Sequence, residues 1–335
     1  MLVVPVATNR ETERMGIPAS MLVAPGATNR ETEEVGVRVT INVMKLGYAL
    51  LILPLCGFSC VSAPPKPHVA PGRYVKTIQE GSIQRSYILR TPKGYDNKRK
   101  VPLVLMFHGL GSSAEEAESF TGLTLKAEKE GFILVIPNGT PGIGDMKGWN
   151  TGFLDLGSKD VDDVKFTTDI LDQVEHDLYI DDKRVFVAGH SNGAMMAYDL
   201  GSALSGRIAA IAVVSGSVGI GDKRVPGPTS PVSAIIFHGK ADQMVAYDSS
   251  SSALLQAISA PESAKWWAEK DGCGPMTETR RGNDVVLDDY RNGKGSSEVE
   301  LVTIVKGDHA WPDGTRTPVA AADLIWSFFK AHPKS

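Results

Sequence analysis

The chain has 335 residues, with 35 Lys and Arg against 39 Asp and Glu, for a formal net charge of −4. That near-balance gives no electrostatic case for binding nucleic acid or anionic lipid. Apolar residues make up 42% of the chain, which is ample for the core of an ordinary soluble domain.

The N-terminus is unusual. Met1–Glu13 recurs almost unchanged at Met21–Glu33, a direct repeat offset by twenty residues. Two copies cannot stack into a solenoid. Residues 1–43 therefore read as a disordered polar leader, or as sequence upstream of the true start. Met44 and Lys45 then open a signal peptide over 44–63, with one positive charge, an apolar core through Leu46–Phe58, and small residues from Ser59 to Ala63. The apolar run is short for a membrane span. Pro64 hinders cleavage after Ala63, and Ser59-Cys60 is a lipoprotein site that Gly57 and Phe58 fit badly. Export to the medium or periplasm is expected, with a lipid anchor at Cys60 as the alternative and the only route to a membrane. Residues 64–71, rich in proline, read as a stiff extended linker.

Residues 72–335 read as one α/β domain. Strands are expected near Tyr74–Ile78, Ser86–Arg90, Leu103, Ile133, Val185, Ala209, Ala234 and Val302. Helices fall between them at 114–130, 164–178, 193–204, 250–270 and 318–329. Strands alternating with helices imply a doubly wound, mainly parallel sheet. Asp162 and Asp163 look like helix caps rather than metal ligands. The polar end, Lys330–Ser335, reads as a frayed tail.

Gly189-His190-Ser191-Asn192-Gly193 is the most informative stretch. It follows the strand-like Arg184–Ala188 and precedes the helical Ala194–Leu200. Strand, Gly-x-Ser-x-Gly and helix together define a nucleophile elbow. In so tight a turn the serine takes strained backbone angles, and side chains two residues either side would strike neighbouring backbone. The bland alternative is a glycine-rich turn.

A serine hydroxyl needs a histidine to take its proton and a carboxylate to orient that histidine. In the order Ser, acid, His, three histidines follow: His238, His309 and His332. His332 lies in the tail, and His238 directly follows an apolar strand and reads as shaping its end. His309 sits in a glycine and proline loop after Glu300–Val305, where a base is needed, so it is the candidate. Asp242 lies just past the strand ending at His238 and is the candidate acid. Asp248 is its nearest rival, with a helix N-cap as its plain reading, and Asp308 adjoins His309 too closely to orient it. Oxyanion donors are expected from the backbone N–H of Asn192 and of Leu110, in the loop Phe107–Ser113 after the apolar strand Val101–Met106. His108 reads as a structural brace for that loop.

In chain order, His108-Gly109-Leu110-Gly111, Trp149-Asn150, Val161–Val164, Gly189–Gly193, His238–Asp242 and His309–Pro312 resemble the secreted feruloyl esterases, acetylxylan esterases and poly(3-hydroxybutyrate) depolymerases of the α/β-hydrolase fold. The resemblance spans roughly residues 72 to 331. It implies Ser191 as nucleophile, Asp242 as acid and His309 as base, and sets Trp149, Trp311 and His190 near substrate; for the two tryptophans, packing is the competing reading. Members commonly carry a second glycine where Leu110 stands and Gly-Gly before the histidine, where Asp308 intervenes here. Many also pair a cysteine matching Cys273 with one in the following hairpin, but Tyr290–Gly295 offers no partner, so Cys273 is expected to be a free, partly buried thiol. In this fold a cap domain usually follows the strand after the nucleophile helix. Here only Gly216–Pro231 separates two strands, too little for a helical cap, so an open cleft is expected.

The sequence thus points to a secreted serine carboxylic-ester hydrolase, monomeric and without cofactor or metal, acting on feruloyl or acetyl esters of plant polysaccharide. A polyester or oligoester depolymerase is the alternative. A peptidase-like or non-catalytic binding protein on the same fold is more remote, because all the parts of a hydrolytic site are present.

Overall fold

A computed structural model describes residues 66–151, 154–221, 224–248 and 256–335. The repeated leader over 1–43, the signal peptide over 44–63 and Cys60 lie outside the described residues.

Strand formation follows the apolar runs. In chain order they are β1 (Gly72–Glu80), β2 (Ile83–Thr91), β3 (Val101–Phe107), β4 (Ile133–Pro137), the two-residue β5 (Thr140–Pro141), β6 (Lys147–Gly148), β7 (Asn150–Thr151) and β8 (Leu154–Asp155), then β9 (Ile180–His190), β10 (Ala210–Val214), β11 (Ser233–Gly239), β12 (Thr277–Arg281), β13 (Val285–Tyr290) and β14 (Val299–Ile304). One sheet runs β1-β2-β4-β3-β9-β10-β11-β14-β13-β12. From β4 through β14 its neighbours pair parallel, and the outer strands at both edges pair antiparallel.

The central strands are apolar on both faces, as sheets covered by helices on each side must be. In β3, Leu103, Leu105 and Phe107 face one core, and Val104 and Met106 the other. Val185 and Val187 of β9 join the first core, while Phe186 and Ala188 join the second. The first core is closed by α3 (Asp163–Asp177), α4 (Asn192–Ala203) and α5 (Ala260–Asp271); the second by α1 (Ala114–Phe120), α2 (Leu123–Glu130) and α6 (Ala321–Ala331). Each fully buried Leu, Ile or Phe contributes about 1.5–3 kcal/mol.

Several boundaries differ from the sequence expectation. The helix expected over 114–130 is two helices, broken at Thr121 and Gly122, where Gly122 adopts φ 72. Of the helix expected over 250–270, residues 250–255 lie outside the described residues, and α5 begins at Ala260, where Ser259 and Glu262 form a reciprocal capping box that fixes its start. The last helix runs Ala321–Ala331 rather than 318–329. Strands β12 and β13 extend the sheet beyond β14 and were absent from the expected set. Every residue of β12, Thr277–Arg281, is exposed, so it lacks the apolar alternation that marks a half-buried strand. The tail is tied down rather than frayed. The Lys334 backbone N–H donates to Lys183 O at 2.7 Å, and its Nζ to Ile208 O at 3.2 Å.

The linker also ends sooner than expected. Val69 exchanges two hydrogen bonds of 2.9 Å with the Asn97 side chain, and Lys66 Nζ donates to Leu178 O at 2.8 Å. Residues 215–232, between β10 and β11, carry no α-helix among those described. No described helix is long and apolar enough to cross a membrane.

Candidate active site

The elbow is built by β9 and α4. Ser191 adopts φ 55 and ψ −120, a strained combination for an L-residue. Its N–H donates to Val214 O on β10 at 2.8 Å, which anchors the turn to the sheet. A Cβ on Gly189 would lie 2.0 Å from Gly193 O, and one on Gly193 would lie 2.2 Å from Phe107 O. Only glycine fits at either position, so the strain is held by backbone packed against backbone.

His309 reaches the serine from the loop after β14. Its Nε2 lies 2.8 Å from Ser191 Oγ, and its Nδ1 lies 2.8 Å from Asp242 Oδ2. Asp242 is buried in the turn after β11, where its Oδ1 accepts from the N–H groups of Met244 and Val245, both at 2.9 Å. Burial alone pushes this carboxyl's pKa up, but the nearby His238 Nε2 at 3.4 Å and the hydrogen bonds from His309 and the Val245 backbone outweigh it. They hold Asp242 well below the usual carboxylate range. His238 Nε2 donates to Val245 O at 2.8 Å, so it braces the acid turn, as its place at a strand end suggested. Asp248 and Asp308 are both exposed. His332 lies at the end of α6, bonded to Phe328 O and Glu298.

The loop after β3 is braced by His108, which is fully buried. Gly139 N–H donates to its Nε2 at 3.0 Å, so the proton sits on Nδ1, which donates to Gly109 O at 2.8 Å. Burial lowers the His108 pKa to about 4, which keeps the ring neutral and able both to donate and to accept. No backbone acceptor takes the Leu110 N–H among the described residues. Asn192 opens α4, so its N–H has no intrahelical acceptor and lies at the positive end of the helix dipole.

An open cavity of about 750 Å³ surrounds these groups. Leu110, Phe120, Met146, Leu156, Met195 and Trp311 form much of its apolar wall. His190 lines it too, with rings of Phe120 and His309 at 6.0 and 5.4 Å. Burial, then the neighbouring His309, lower the His190 pKa to about 4, so it adds no positive charge beside His309 near neutral pH.

Trp149 is not where the resemblance set it. It is fully buried and does not line the cavity. Its indole Nε1 donates to His108 O at 2.8 Å, so it supports the loop of Leu110 from behind. Sequence reasoning also missed the role of Asp163. Asp162 caps α3 through Lys165 N–H, as expected. Asp163, by contrast, is buried against Arg85 at 2.6 Å and accepts the Asn150 N–H at 2.7 Å. Arg85 shares a face of β2 with Tyr87 and Leu89, which marks a charge in need of a buried partner but does not say which residue supplies it. Cys273 is a free, half-buried thiol.

A phospholipase/carboxylesterase family profile matches residues 95–261. Feruloyl esterase B of Piromyces equi is 30% identical over 257 residues, covering 73% of this chain and 45% of that protein. Feruloyl esterase C of Emericella nidulans is 26% identical over 74% of this chain and 84% of its own length. Among solved structures, an acetyl xylan esterase from Aspergillus awamori superposes with a TM-score of 0.53 over 76% of this chain and 99% of its own, at 15% identity. The fold is that of the α/β-hydrolases, and the relatives that match it are esterases. The chain is similar to the feruloyl and acetylxylan esterases of the α/β-hydrolase fold.

Proposed function

We propose that the chain hydrolyses carboxylic esters through an acyl-enzyme on Ser191. The observation that carries this reading is the unbroken line Asp242–His309–Ser191, with both links at 2.8 Å, opening into an apolar cavity. His309 takes the Ser191 proton through Nε2 as Oγ attacks the ester carbonyl. The Asn192 and Leu110 N–H groups receive the developing oxyanion. His309 then gives its proton to the departing alcohol, and water repeats the cycle on the acyl-enzyme. Asp242 stays ionised and holds the His309 tautomer throughout.

The cavity volume of about 750 Å³ and its apolar walls favour a feruloyl-sized acyl group over acetyl. The feruloyl esterase relatives point the same way. A polyester or oligoester substrate is the second reading, favoured by the large hydrophobic side chains exposed at the mouth, Leu110, Phe120, Met146 and Met244. Residues 72–335 act as the catalytic domain, and 44–63 directs export, with Cys60 as the alternative lipid anchor.

The test is a panel of methyl ferulate, acetylated xylan, hydroxybutyrate oligomers and p-nitrophenyl esters of increasing chain length, run on wild type and Ser191→Ala. Ferulate turnover that falls on the order of 10³-fold or more in the variant supports the proposal. Turnover that survives the substitution contradicts it.

A further inference from the structure

A single guanidinium borders the largely apolar cavity, beside the carboxylate of Asp313 that also lines it. Among the residues lining it, Arg316 is the one lysine or arginine. Its side chain is 79% exposed, yet it is held in place. Asp313 Oδ1 accepts the backbone N–H groups of Thr315 and Arg316, at 2.8 and 2.9 Å, and Asp313 Oδ2 accepts Arg316 Nε at 3.1 Å. These backbone bonds, then the side-chain bonds within the same turn, keep Asp313 ionised far into acid, so the anchor persists across the working range. The two Nη groups of Arg316 form no hydrogen bond among the described residues.

This arrangement uses one edge of the fork and leaves the other presented. Anchoring the side chain through Nε reduces the rotamer freedom that a free surface arginine would lose on binding. A planar pair of Nη donors matches the two oxygens of a carboxylate. The cavity that holds both Ser191 and Arg316 is walled largely by apolar side chains, which suit a carbon chain.

We propose that Arg316 is a specificity-determining residue that binds a carboxylate carried by the substrate away from the scissile ester. The class includes half-esters of dicarboxylic acids and hydroxy-acid oligomers with a free acid end. The inference rests on the reading of Ser191 as the nucleophile. It adds a charged subsite that the fold and the matched relatives do not imply.

The experiment compares the monomethyl and dimethyl esters of succinic, adipic and suberic acids, so that chain length acts as a ruler. The readout is the ratio of kcat/KM for half-ester to diester within each enzyme. At the matching length, Arg316→Gln lowers this ratio about five-fold or more, through KM rather than kcat. Arg316→Lys falls between, since a point charge lacks the fork, and high salt depresses the wild-type ratio. An equal ratio in wild type and Arg316→Gln at every length overturns the subsite. Wild-type hydrolysis of the diesters that persists undiminished in Ser191→Ala overturns the nucleophile reading instead, which is a separate result.

Discussion

Asn192 and Trp149 hold each other through a reciprocal pair of hydrogen bonds. The Trp149 N–H donates to Asn192 Oδ1 at 2.8 Å, and Asn192 Nδ2 donates to Trp149 O at 3.2 Å. The same tryptophan donates its indole N–H to His108 O. Both candidate oxyanion donors are therefore tied to one buried residue, Asn192 through its side chain and Leu110 through its loop. Preorganised donors act on the transition state more than on bound substrate. Asn192→Ala keeps the backbone N–H but frees it from Trp149. It should lower kcat about 10- to 100-fold with a smaller change in KM, and destabilise the fold by about 1–3 kcal/mol through the orphaned Trp149 amide. Steady-state kinetics and urea unfolding of the same variant check both parts.

Asp242→Asn separates orientation from charge. The Met244 and Val245 N–H groups already occupy Oδ1, so the asparagine oxygen takes that position and its NH₂ faces His309 Nδ1. A donor there forces the His309 proton onto Nε2, which can then no longer accept from Ser191. Activity should fall about 10³- to 10⁴-fold while the melting temperature changes little by comparison. A loss confined to about ten-fold would mean that His309 keeps its tautomer without the carboxylate.

His108 makes a pH-dependent contribution to stability. Its pKa is 6.5 in an ordinary setting and about 4 in the fold. Between those values the unfolded chain holds more protons, so the contribution is present above pH 6.5 and is lost as pH falls toward 4. Its size is about 3 kcal/mol at most. His108→Asn does not titrate, so its stability relative to wild type should improve steadily from pH 6.5 to 4. Urea unfolding of the two proteins across that window gives the difference directly.

Glu300 works in the opposite sense. It lies on β14 directly across from Asp289 on β13. Burial first, then Asp289 and Glu298, raise its pKa from 4.5 to about 7. The folded state thus holds the extra proton between those values, and ionising Glu300 costs stability as pH rises through 7. Glu300→Gln should stabilise the protein by about 1–3 kcal/mol at pH 8, and the gain should vanish toward pH 4.5. Equal melting shifts at pH 5 and pH 8 would point to packing rather than charge.

How much of this was legible in the sequence depends on the range of the physics involved. The elbow could be read because its requirement is local: a tight turn between strand and helix excludes Cβ atoms at Gly189 and Gly193. His309 and Asp242 could be picked out because each follows a parallel strand, and such loops gather at one edge of the sheet. The break at Gly122 was hidden by apolar spacing that runs on through α1 and α2. Trp149 was misplaced because nothing in its neighbours distinguishes an indole packed behind a loop from one lining a cavity. The Arg85–Asp163 pair joins β2 to the start of α3, and no periodicity reports a contact of that range. The all-exposed β12 carries no core pattern, only the charged, Thr-rich character of an edge strand.

The central claim is that Ser191 is the nucleophile, and covalent labelling tests it most directly. Wild-type protein is incubated with a p-nitrophenyl alkylphosphonate and followed by p-nitrophenol release, intact mass and peptide mapping. The account predicts one equivalent of p-nitrophenol, one phosphonyl adduct on the peptide containing Ser191, and none in Ser191→Ala. An adduct on another residue, or none on an enzyme that still turns over esters, would contradict it.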